Sequence, residues 1–267
     1  MNYAFMSFSC PQLSLADMIT AAQRYGYAGL EPRTGGNHAH GVELTATAAE
    51  RAAIRQQAVD GGIDLCCLAV SCRYADPATV GDQVDETRRY LDLAADLGIP
   101  RLRVFGGKIP EGISREAAVA VVAAALATVA EHAAQQQVTI CLETHDDWCD
   151  PAHVVAVMQA VNHPAIAVNW DVMHPVRAGG VTMAEAYTML RPWIRHVHIH
   201  DGSKRMDKLE FLPIGQGEFD HRQVVQLLQS DGYEGYLSGE WINWEPYDVH
   251  LPRELAAMQT YEAELAS

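Results

Sequence analysis

The amino-acid sequence predicts a (β/α)8 TIM barrel, an α/β fold, formed by a single domain over residues 1–267. Short apolar segments alternate with longer segments of helical pattern along the whole chain. Most of the apolar segments are continuous, as strands buried on both faces of a parallel sheet are. The length of 267 residues is close to the roughly 250 that are typical of this barrel. No linker or low-complexity tract interrupts the pattern.

Eight apolar segments predict the strands. Each is short and rich in Val, Ile, Leu, Tyr or Cys. In chain order they are Tyr3–Phe8, Tyr27–Glu31, Ile63–Val70, Arg101–Phe105, Val138–Glu143, Ala165–Asp171, His196–His200 and Tyr236–Glu240. Because parallel strands need a crossover connection, we expect a helix after each strand.

Capping residues mark the starts of the predicted helices. Thr47 and Thr182 each stand three residues before a glutamate, which is the pattern of a capping box. Asp150 offers an N-cap and is followed by a proline at the first helical position. Three more N-caps are predicted at Ser14, Ser114 and Asp220. These signals fall between the predicted strands, as the barrel requires.

Glycines predict helix ends at Gly61-Gly62 and at Gly98, and a last helix is expected over Arg253–Leu265. A doubly wound open sheet is the competing architecture. That fold is favoured by a glycine-rich phosphate loop after the first strand, and Phe8–Leu13 is not such a loop. The barrel is therefore the predicted fold.

The charge balance excludes broad classes of partner. There are 19 Lys and Arg residues against 34 Asp and Glu, a formal net charge of −15. Binding to nucleic acids or to anionic membrane surfaces depends on clustered Lys and Arg. The acidic balance therefore predicts a protein with neither nucleic-acid nor membrane partners.

Targeting and cysteine patterns predict a cytoplasmic protein. Met1–Pro11 has no basic region and no long apolar core, unlike a secretory signal. The apolar stretch Ala117–Ala130 is shorter than the ~20 residues that span a bilayer, and it predicts a buried helix. The six cysteines include no C-x-x-C pair and form no regular framework, so we expect reduced core residues.

Polar residues at the ends of four successive strands predict the functional site. Glu143, Asp171, His198 and Glu240 stand at equivalent heights, and the carboxyl ends of barrel strands converge on one mouth. Three carboxylates at one mouth repel each other unless protons or a cation neutralise them. Three oxygen ligands and one nitrogen suit Mn²⁺ or Mg²⁺, and also Co²⁺, Fe²⁺ or Zn²⁺. We therefore predict a divalent metal site.

Several other polar residues at or near the mouth are open to more than one interpretation. Glu31 and Arg33 end the second strand and either bind substrate or form an internal ion pair. Arg103 lies within the fourth strand, where it either orients a carboxylate or contacts substrate. His38 and His40 occupy a glycine-rich loop and are expected to be solvated.

Seven short motifs together resemble one family. They are Gly29–Arg33, Arg103–Gly107, Leu142–His145, Asp171–His174, His196–Asp201, Gly215–Asp220 and Gly239-Glu240. In this order and over almost the whole chain, they resemble the xylose isomerase-like TIM-barrel superfamily. The most similar branch contains small sugar isomerases and epimerases, with ketose 3-epimerases, hydroxypyruvate isomerases and inosose dehydratases.

The resemblance implies roles for individual residues. Glu143, Asp171, His198 and Glu240 match the positions that hold the divalent metal, for which Mn²⁺ is the first choice. Glu143 and Glu240 also match the acid/base pair of the epimerases. His174 matches a histidine that contacts substrate. The family often has Lys where this chain has His200, so no lysine role is carried over to it.

Two further residues complete the predicted substrate contacts. Arg205 falls where epimerases place an arginine that contacts substrate, although the local motif matches weakly. Arg103 is assigned to the same group, with Glu31. The substrate is expected to be a small unphosphorylated sugar or hydroxy-ketone, because basic residues after the seventh strand are interspersed with acidic ones. The apolar segment Val249–Ala257 would permit a homo-oligomer.

One set of groups supports three reactions. A base, a reprotonating acid and a cation that stabilises an enediolate serve epimerisation, aldose–ketose isomerisation and dehydration alike. An isomerase or epimerase is the first prediction, and a lyase similar to inosose dehydratase is the alternative. A phosphodiesterase of the DNA-repair branch is disfavoured, because Asp201–Asp220 contains no Asp-x-His. A non-catalytic binding protein does not need paired acid/base glutamates.

Overall fold

Nine parallel strands form the central sheet of the computed structural model, which describes residues 1–206 and 208–266. The described strands are β1 Asn2–Met6, β2 Gly29–Glu31, β3 Asp64–Leu65, β4 Leu68–Arg73, β5 Arg101–Phe105, β6 Thr139–Glu143, β7 Ile166–Asp171, β8 Ile194–Ile199, β9 Asp201–Gly202, β10 Phe211–Leu212 and β11 Tyr236–Gly239. Their order in the sheet is β3-β2-β1-β11-β8-β7-β6-β5-β4. The remaining two, β9 and β10, form a small antiparallel pair.

The sheet closes into a barrel where β4 meets the residues that follow β2. Arg33 and Ala69 form a parallel bridge. The amide of Ala69 donates to the carbonyl of Pro32 at 3.0 Å, and the amide of Thr34 donates to the carbonyl of Ala69 at 3.1 Å. Parallel strands, closure and intervening helices confirm the predicted (β/α)8 TIM barrel.

Helices follow the strands around the outside of the barrel. They are α1 Leu15–Tyr25, α2 Ala48–Gly61, α3 Val80–Leu97, α4 Arg115–Gln135, α5 Pro151–Val161, α6 Met173–Arg177, α7 Met183–Leu190, α8 His221–Ser230 and α9 Tyr247–Ala266. Each of the six predicted N-caps accepts a hydrogen bond from a backbone amide in the first turn. Both capping boxes, at Thr47 and Thr182, are complete.

The predicted third strand is divided in the structure. β3 pairs with β2, whereas β4 pairs with β5, and Cys66 and Cys67 lie between the two pieces. Both cysteines are buried, so the apolar run continues through the break. Hydrophobicity reports burial and not which neighbour a backbone pairs with, and for this reason the prediction of one strand over Ile63–Val70 is wrong.

The last helix is longer than predicted. It begins at Tyr247, six residues before the expected start at Arg253, and it contains Pro252. A proline early in a helix removes a backbone donor that would otherwise bond to the preceding turn. Because of Pro252, the sequence pattern did not predict the part of α9 that precedes Arg253.

Helix α4 is longer and more apolar than the sequence prediction allowed. Its 21 residues include an 18-residue window of mean hydropathy 1.7, enough by length and composition to cross a membrane. In the barrel it packs between α3 and α5 and against β6. Val122, Leu126 and Val129 are fully buried there. Packing on the barrel thus accounts for the apolar residues on one side of α4, and 44% of that window is buried.

The core has two parts. The larger part lies between the sheet and the helices and includes Phe5. A separate small cluster consists of Ala4, Cys66, Cys67 and Tyr236. Because neighbouring strand residues point to opposite faces, Ala4 lies on the face opposite Phe5, inside the barrel. This apolar cluster fills the interior near the strand starts and leaves the carboxyl ends for polar side chains.

Candidate active site

The four predicted metal ligands lie together at the carboxyl ends of adjacent strands. Glu143 ends β6, Asp171 ends β7, His198 lies in β8 and Glu240 follows β11. One potential ligand atom from each side chain lies within 4.8 Å of the others, and all four residues are buried. We call these four residues the carboxylate–histidine group. The structure therefore brings together every residue that the sequence predicted for the metal site.

Strand register produces this convergence. Asp171 is paired with His198, and His198 with Ser238, two residues before Glu240. On the other side, Glu143 is paired with Asn169, two residues before Asp171. Side chains two residues apart on a strand point to the same face, which here is the barrel interior. The three pairings thus bring all four side chains to one interior surface.

The imidazole of His198 contacts carboxylates through both nitrogens. Its Nδ1 lies 3.0 Å from Glu143 Oε1 and 3.0 Å from Glu240 Oε2. Its Nε2 lies 3.1 Å from Oε1 and 3.2 Å from Oε2 of Glu31. Burial lowers the pKa of His198, but the charges of Glu31, Glu240 and Glu143 outweigh it and raise the pKa well above its usual value.

Glu31 lies beneath the group and is fully buried. Besides His198, its Oε2 lies 2.7 Å from Nε2 of His196. Burial raises the pKa of Glu31, but the charges and hydrogen bonds of His198 and His196 hold it well below its usual value. Both of its carboxylate oxygens therefore contact histidines of β8.

Arg103 compensates two of the carboxylates. Its Nε lies 3.2 Å from Glu143 Oε2 and one terminal nitrogen lies 3.6 Å from Glu240 Oε1. Another terminal nitrogen donates to the carbonyl of Val70 at 3.1 Å. Burial raises the pKa of Glu240, but His198 and then Arg103 outweigh it and lower the pKa to about 2. These contacts with Glu143 and Glu240 are those expected of an arginine that orients carboxylates.

Asp171 is held at the edge of the group. Its Oδ1 accepts hydrogen bonds from the amides of Met173 at 2.9 Å and His174 at 3.1 Å. Its Oδ2 lies 2.9 Å from Nε2 of His200 and 3.9 Å from Nε2 of His174. Burial raises the pKa of Asp171, but the charges of His200 and His174 hold it below its usual value.

His174 lies where the group opens to the mouth. It is 9% exposed, whereas Asp171 and His198 are fully buried. Burial lowers the pKa of His174, which favours a neutral ring. Its ring contacts that of His145, with the centroids 4.6 Å apart. The structure thus places this predicted substrate residue beside the group and partly open to the mouth.

Arg205 lies outside the group. It is exposed in the segment that joins β9 to β10, where its carbonyl accepts hydrogen bonds from the guanidinium of Arg177. Among the predicted substrate residues, the structure therefore brings Glu31, Arg103 and His174 to the group and leaves Arg205 at the surface.

Three polar residues near the group were given no role from the sequence. The amide nitrogen of Asn169 lies 3.1 Å from Nδ1 of His198. His200 contacts Asp171, and His145 lies next to His174. Burial lowers the pKa of His145, but its hydrogen bond to Asp146 and nearby carboxylates raise it to about 9. Side chains two residues apart on a strand point to the same face. Asn169 and His200 each stand two residues from a predicted ligand, so the sequence could have placed them on the face of the site.

The donor set fits a divalent cation. Three carboxylates and one imidazole nitrogen converge. Oε2 of Glu143 and Oδ2 of Asp171 are buried and form ion pairs with Arg103 and His200, but they accept no hydrogen bond among the described residues. Hard divalent cations take carboxylate oxygens, and Mn²⁺ also accepts imidazole. A second set, Asp171, His174 and His200, shares one carboxylate with the first. The residues present therefore suit the metal predicted from the sequence.

Comparison with known proteins identifies the family. A family model described as "Xylose isomerase-like TIM barrel" matches residues 19–262. A Homo sapiens protein named "Putative hydroxypyruvate isomerase" is 25% identical over 254 residues, which are 89% of this chain and 88% of that protein. A Xenopus laevis protein of the same name is 26% identical over 180 residues, 61% of this chain and 63% of that protein.

Solved structures share the fold. A probable 3-DHS dehydratase from Bacillus anthracis superposes with a TM-score of 0.81 at 19% identity, covering 97% of this chain and 99% of that one. A D-tagatose 3-epimerase-like protein gives a TM-score of 0.80 at 19% identity, covering 100% and 98%. With the family match over most of the chain, these findings confirm the resemblance carried by the seven motifs. The chain belongs to the xylose isomerase-like TIM-barrel family.

Proposed function

We propose that this chain, as one domain over residues 1–267, is a divalent-metal-dependent isomerase or epimerase. Its substrate is a small sugar or hydroxy-ketone, and the reaction moves a proton on the carbon next to a carbonyl. The convergence of Glu143, Asp171, His198 and Glu240 within 4.8 Å carries the proposal. The relatives named as hydroxypyruvate isomerases support the same class of reaction.

The carboxylate–histidine group would hold the cation, with Mn²⁺ as the first choice. When bound, a divalent cation supplies Lewis-acid stabilisation of the negative charge that develops on the substrate oxygens. Asp171 and His198 are suited to a purely ligating role, because their second contacts fix them in place. Asp171 Oδ1 is held by two backbone amides, and His198 Nε2 by Glu31.

Glu143 and Glu240 are proposed as the acid/base pair. Each directs one oxygen toward His198 Nδ1 and the other toward Arg103. A carboxylate that ligates through one oxygen keeps its second oxygen for proton transfer. The neighbouring cations keep Glu240 ionised, which is the form that accepts a proton. When two such groups lie on opposite sides of the enediolate plane, one removes the proton and the other returns a proton to the opposite face of the same carbon. The result is epimerisation.

The surrounding residues take supporting roles in this proposal. Arg103 orients both glutamates through its buried guanidinium. His174 contacts the substrate from the mouth, and Arg205 does so from its exposed segment. Glu31 positions His198 from below instead of meeting substrate, because it is fully buried with both oxygens on histidines.

His145 supports a second candidate, a lyase that dehydrates a cyclitol or keto sugar. Its pKa of about 9 keeps the ring protonated at neutral pH, and it lies beside His174 near the mouth. After a glutamate removes the α-proton, such an imidazolium can donate its proton to a departing β-hydroxyl, which leaves as water. Both candidates share the first proton transfer and differ in whether water is lost.

Deuterium exchange tests the proposal directly. Metal-loaded protein is incubated in D₂O with hydroxypyruvate, a panel of ketoses and inosose, and the products are analysed by NMR and mass spectrometry. We expect deuterium at the carbon next to the carbonyl, with no loss of water. Loss of water would establish the lyase instead.

Variants assign the exchange to the proposed residues. Glu143→Gln and Glu240→Gln should each lower the exchange rate by at least about 100-fold, since removing a general acid or base costs typically 10²–10⁴-fold. Glu116→Gln, an exposed change on α4, serves as the matched control and should retain the wild-type rate. Exchange that persists unchanged in both glutamine variants, or that is absent from every substrate, contradicts the proposal.

A further inference from the structure

A cleft lined by aromatic side chains lies on the rim of the barrel. Its volume is about 350 Å³, and it is formed by the segment that follows β1 and the segment between β11 and α9. Because β1 and β11 are paired, the two segments meet at the carboxyl ends of adjacent strands. We call it the aromatic cleft, after its lining rings Phe8, Trp241, Trp244, Tyr247 and His250. The volume is at the lower end of the range of ligand pockets, about 300–1,000 Å³, and suits a small molecule.

The aromatic cleft is separate from the carboxylate–histidine group, although the two are neighbours. Glu240 belongs to that group, whereas Trp241, the next residue, belongs to the core between the sheet and the helices. The ring of Phe211 lies 5.4 Å from that of His200 and 6.1 Å from that of Trp244, between centroids. None of the four residues of the group lines the cleft. A ligand bound there would therefore not touch the proposed metal ligands.

Contacts with neighbouring side chains hold Trp244 in place. Its ring stacks with that of Trp241, with the centroids 6.4 Å apart and the planes at 22°. The centroid of His250 lies 5.1 Å from that of Trp241 and 5.4 Å from that of Trp244. Trp244 is nevertheless only half-buried, and it lines the cleft. A ring that is already fixed loses little conformational entropy when a ligand packs against it.

The floor of the cleft carries one donor and one acceptor. Trp241 and His250 are each 1% exposed, and both line the cleft. Nδ1 of His250 donates to the carbonyl of Glu245 at 2.9 Å, and burial lowers the pKa of this imidazole, which favours the neutral ring whose Nε2 accepts. Neither this Nε2 nor Nε1 of Trp241 has a hydrogen-bond partner among residues 1–206 and 208–266. A hydroxyl group both donates and accepts, and so it matches the pair.

Polar side chains form another part of the lining. Gln12 and Asn243 contribute amides and Asp248 contributes a carboxylate, and all three residues are exposed. An amide presents a donor and an acceptor in one plane, which matches two neighbouring hydroxyl groups of a sugar ring. The C–H face of such a ring packs on aromatic side chains, as other apolar surfaces do. The combination of aromatic rings and planar polar groups therefore suits an amphipathic, polyhydroxylated ring.

The charges around the cleft favour a neutral ligand. Glu245 and Asp248 line it, and its described lining contains no Lys or Arg. An anionic ligand would therefore meet carboxylates without a lining cation. A cationic ligand would meet Arg253, whose guanidinium lies 5.0 Å from the centroid of Trp244 and pairs with Glu245 at 2.7 Å. Phosphorylated sugars, keto acids and amines are thus disfavoured at this place.

We propose that the aromatic cleft is a second, non-catalytic site, which binds a neutral pyranose ring. The C–H face of the ring packs on Trp244, and one hydroxyl reaches the floor at Trp241 and His250. Other hydroxyls meet the amides of Gln12 and Asn243. This site goes beyond the proposed function, because its ligand needs no carbonyl group and is not transformed.

Methyl pyranosides test the site without turnover, because their closed rings have no carbonyl group. Saturation-transfer NMR of the Mg²⁺-loaded protein with the methyl pyranosides of glucose, galactose and mannose should show transfer to the C–H protons of at least one of them. An excess of hydroxypyruvate, a ligand for the proposed active site, should leave this signal unchanged. Absence of transfer to all three pyranosides, or their displacement by hydroxypyruvate, overturns the proposal.

Charged analogues test the expected neutrality of the ligand. The uronic acid and the 2-amino derivative of the tightest-binding pyranoside add a negative and a positive charge to the same ring. Each should bind several-fold more weakly than the neutral parent, because each meets a like charge at the cleft. Tighter binding of either derivative contradicts the assignment to a neutral ring.

Variants assign the binding to the cleft. Trp244→Ala removes the stacking face and should weaken binding about 10-fold, whereas Trp244→Phe keeps a ring and should retain part of the affinity. Gln12→Ala leaves the aromatic side chains intact and should weaken binding several-fold. Trp193→Ala is the matched control, because this half-buried tryptophan lines a separate cavity next to the start of β8. Binding that is unchanged in both Trp244→Ala and Gln12→Ala overturns the proposal.

The two proposals fail independently. Pyranoside binding that depends on Trp244 in a protein without deuterium exchange would uphold the cleft and contradict the isomerase. Deuterium exchange in a protein that binds none of the pyranosides would uphold the isomerase and contradict the cleft.

Discussion

At the scale of single residues, the two ring nitrogens of His198 contact different carboxylates. Nδ1 faces Glu143 and Glu240 within the carboxylate–histidine group, and Nε2 faces Glu31. Metal-bound histidines usually donate their second N–H to a carboxylate, which fixes the tautomer and the orientation of the ring. The fully buried Glu31 occupies that position, and we therefore expect it to tune the metal site without meeting the substrate.

Replacing Glu31 tests this positioning role. Glu31→Gln keeps the shape but removes the negative charge, so His198 becomes a weaker and less constrained ligand. We expect the affinity for Mn²⁺ to fall by about 10- to 100-fold, measured by titration with electron paramagnetic resonance detection of free Mn²⁺. Glu43→Gln is the matched control, because the Glu43 carboxylate contacts Thr34 and Gly35 instead of His198. Wild-type affinity in Glu31→Gln contradicts the role.

The sequence predicted which residues form the carboxylate–histidine group, but it did not predict which residues contact them. Strand ends are recognisable from hydrophobicity, and the convergence of strand ends is a property of the barrel. Hence Glu143, Asp171, His198 and Glu240 could be predicted. The contact between Glu31 and His198 joins residues 167 positions apart, and it depends on closure of the sheet, which the local pattern does not describe.

At the scale of secondary-structure elements, Asp201 fixes the loop that follows β10. Its carboxylate accepts hydrogen bonds from four backbone amides, those of Gly202 at 2.8 Å, Gly215 at 2.9 Å, Gly217 at 3.1 Å and Phe219 at 3.3 Å. Asp201 is fully buried. The motif Gly215–Asp220, which helped to indicate the family, therefore has a structural basis, because three of its amides donate hydrogen bonds to the carboxylate of Asp201 in β9.

Shortening Asp201 should destabilise the barrel. Asp201→Ala leaves buried amides without an acceptor, and we expect the free energy of unfolding to fall by about 3 kcal/mol, since each unsatisfied buried group costs roughly 1–3 kcal/mol. Asp201→Asn keeps one acceptor oxygen and should lose about half as much. Urea unfolding monitored by circular dichroism measures both. A loss below about 0.5 kcal/mol in Asp201→Ala would show that the loop does not depend on this carboxylate.

The elements themselves were largely predictable, and the exceptions have physical causes. All six capping residues act locally, within one helical turn, so their sequence signals are reliable. The division between β3 and β4 depends on pairing with different neighbours, and continuous burial conceals it. The pair β9–β10 consists of two-residue strands, which are too short to show any periodicity.

At the scale of the whole molecule, the barrel separates an apolar end from a charged one. Ala4, Cys66, Cys67 and Tyr236 fill the interior near the strand starts. The opposite end collects buried carboxylates from four strands, which Arg103 and histidines contact. Some of the acidic residues behind the net charge of −15 thus lie together at one interior site. A cation at that site is the central claim of our account.

Counting bound Mn²⁺ tests that claim most directly. Free Mn²⁺ is measured by electron paramagnetic resonance during titration of the metal-stripped wild type and of His198→Gln. The control is Arg195→Gln, which changes an exposed residue at the start of β8, at the other end of the barrel. Removing one ligand and leaving its carboxylate partners unpaired should weaken binding at least about 100-fold. We predict tight binding of Mn²⁺ by the wild type and the control, and loss of the tight site in His198→Gln. No tight binding by the wild type, or equal binding by His198→Gln, would contradict the account.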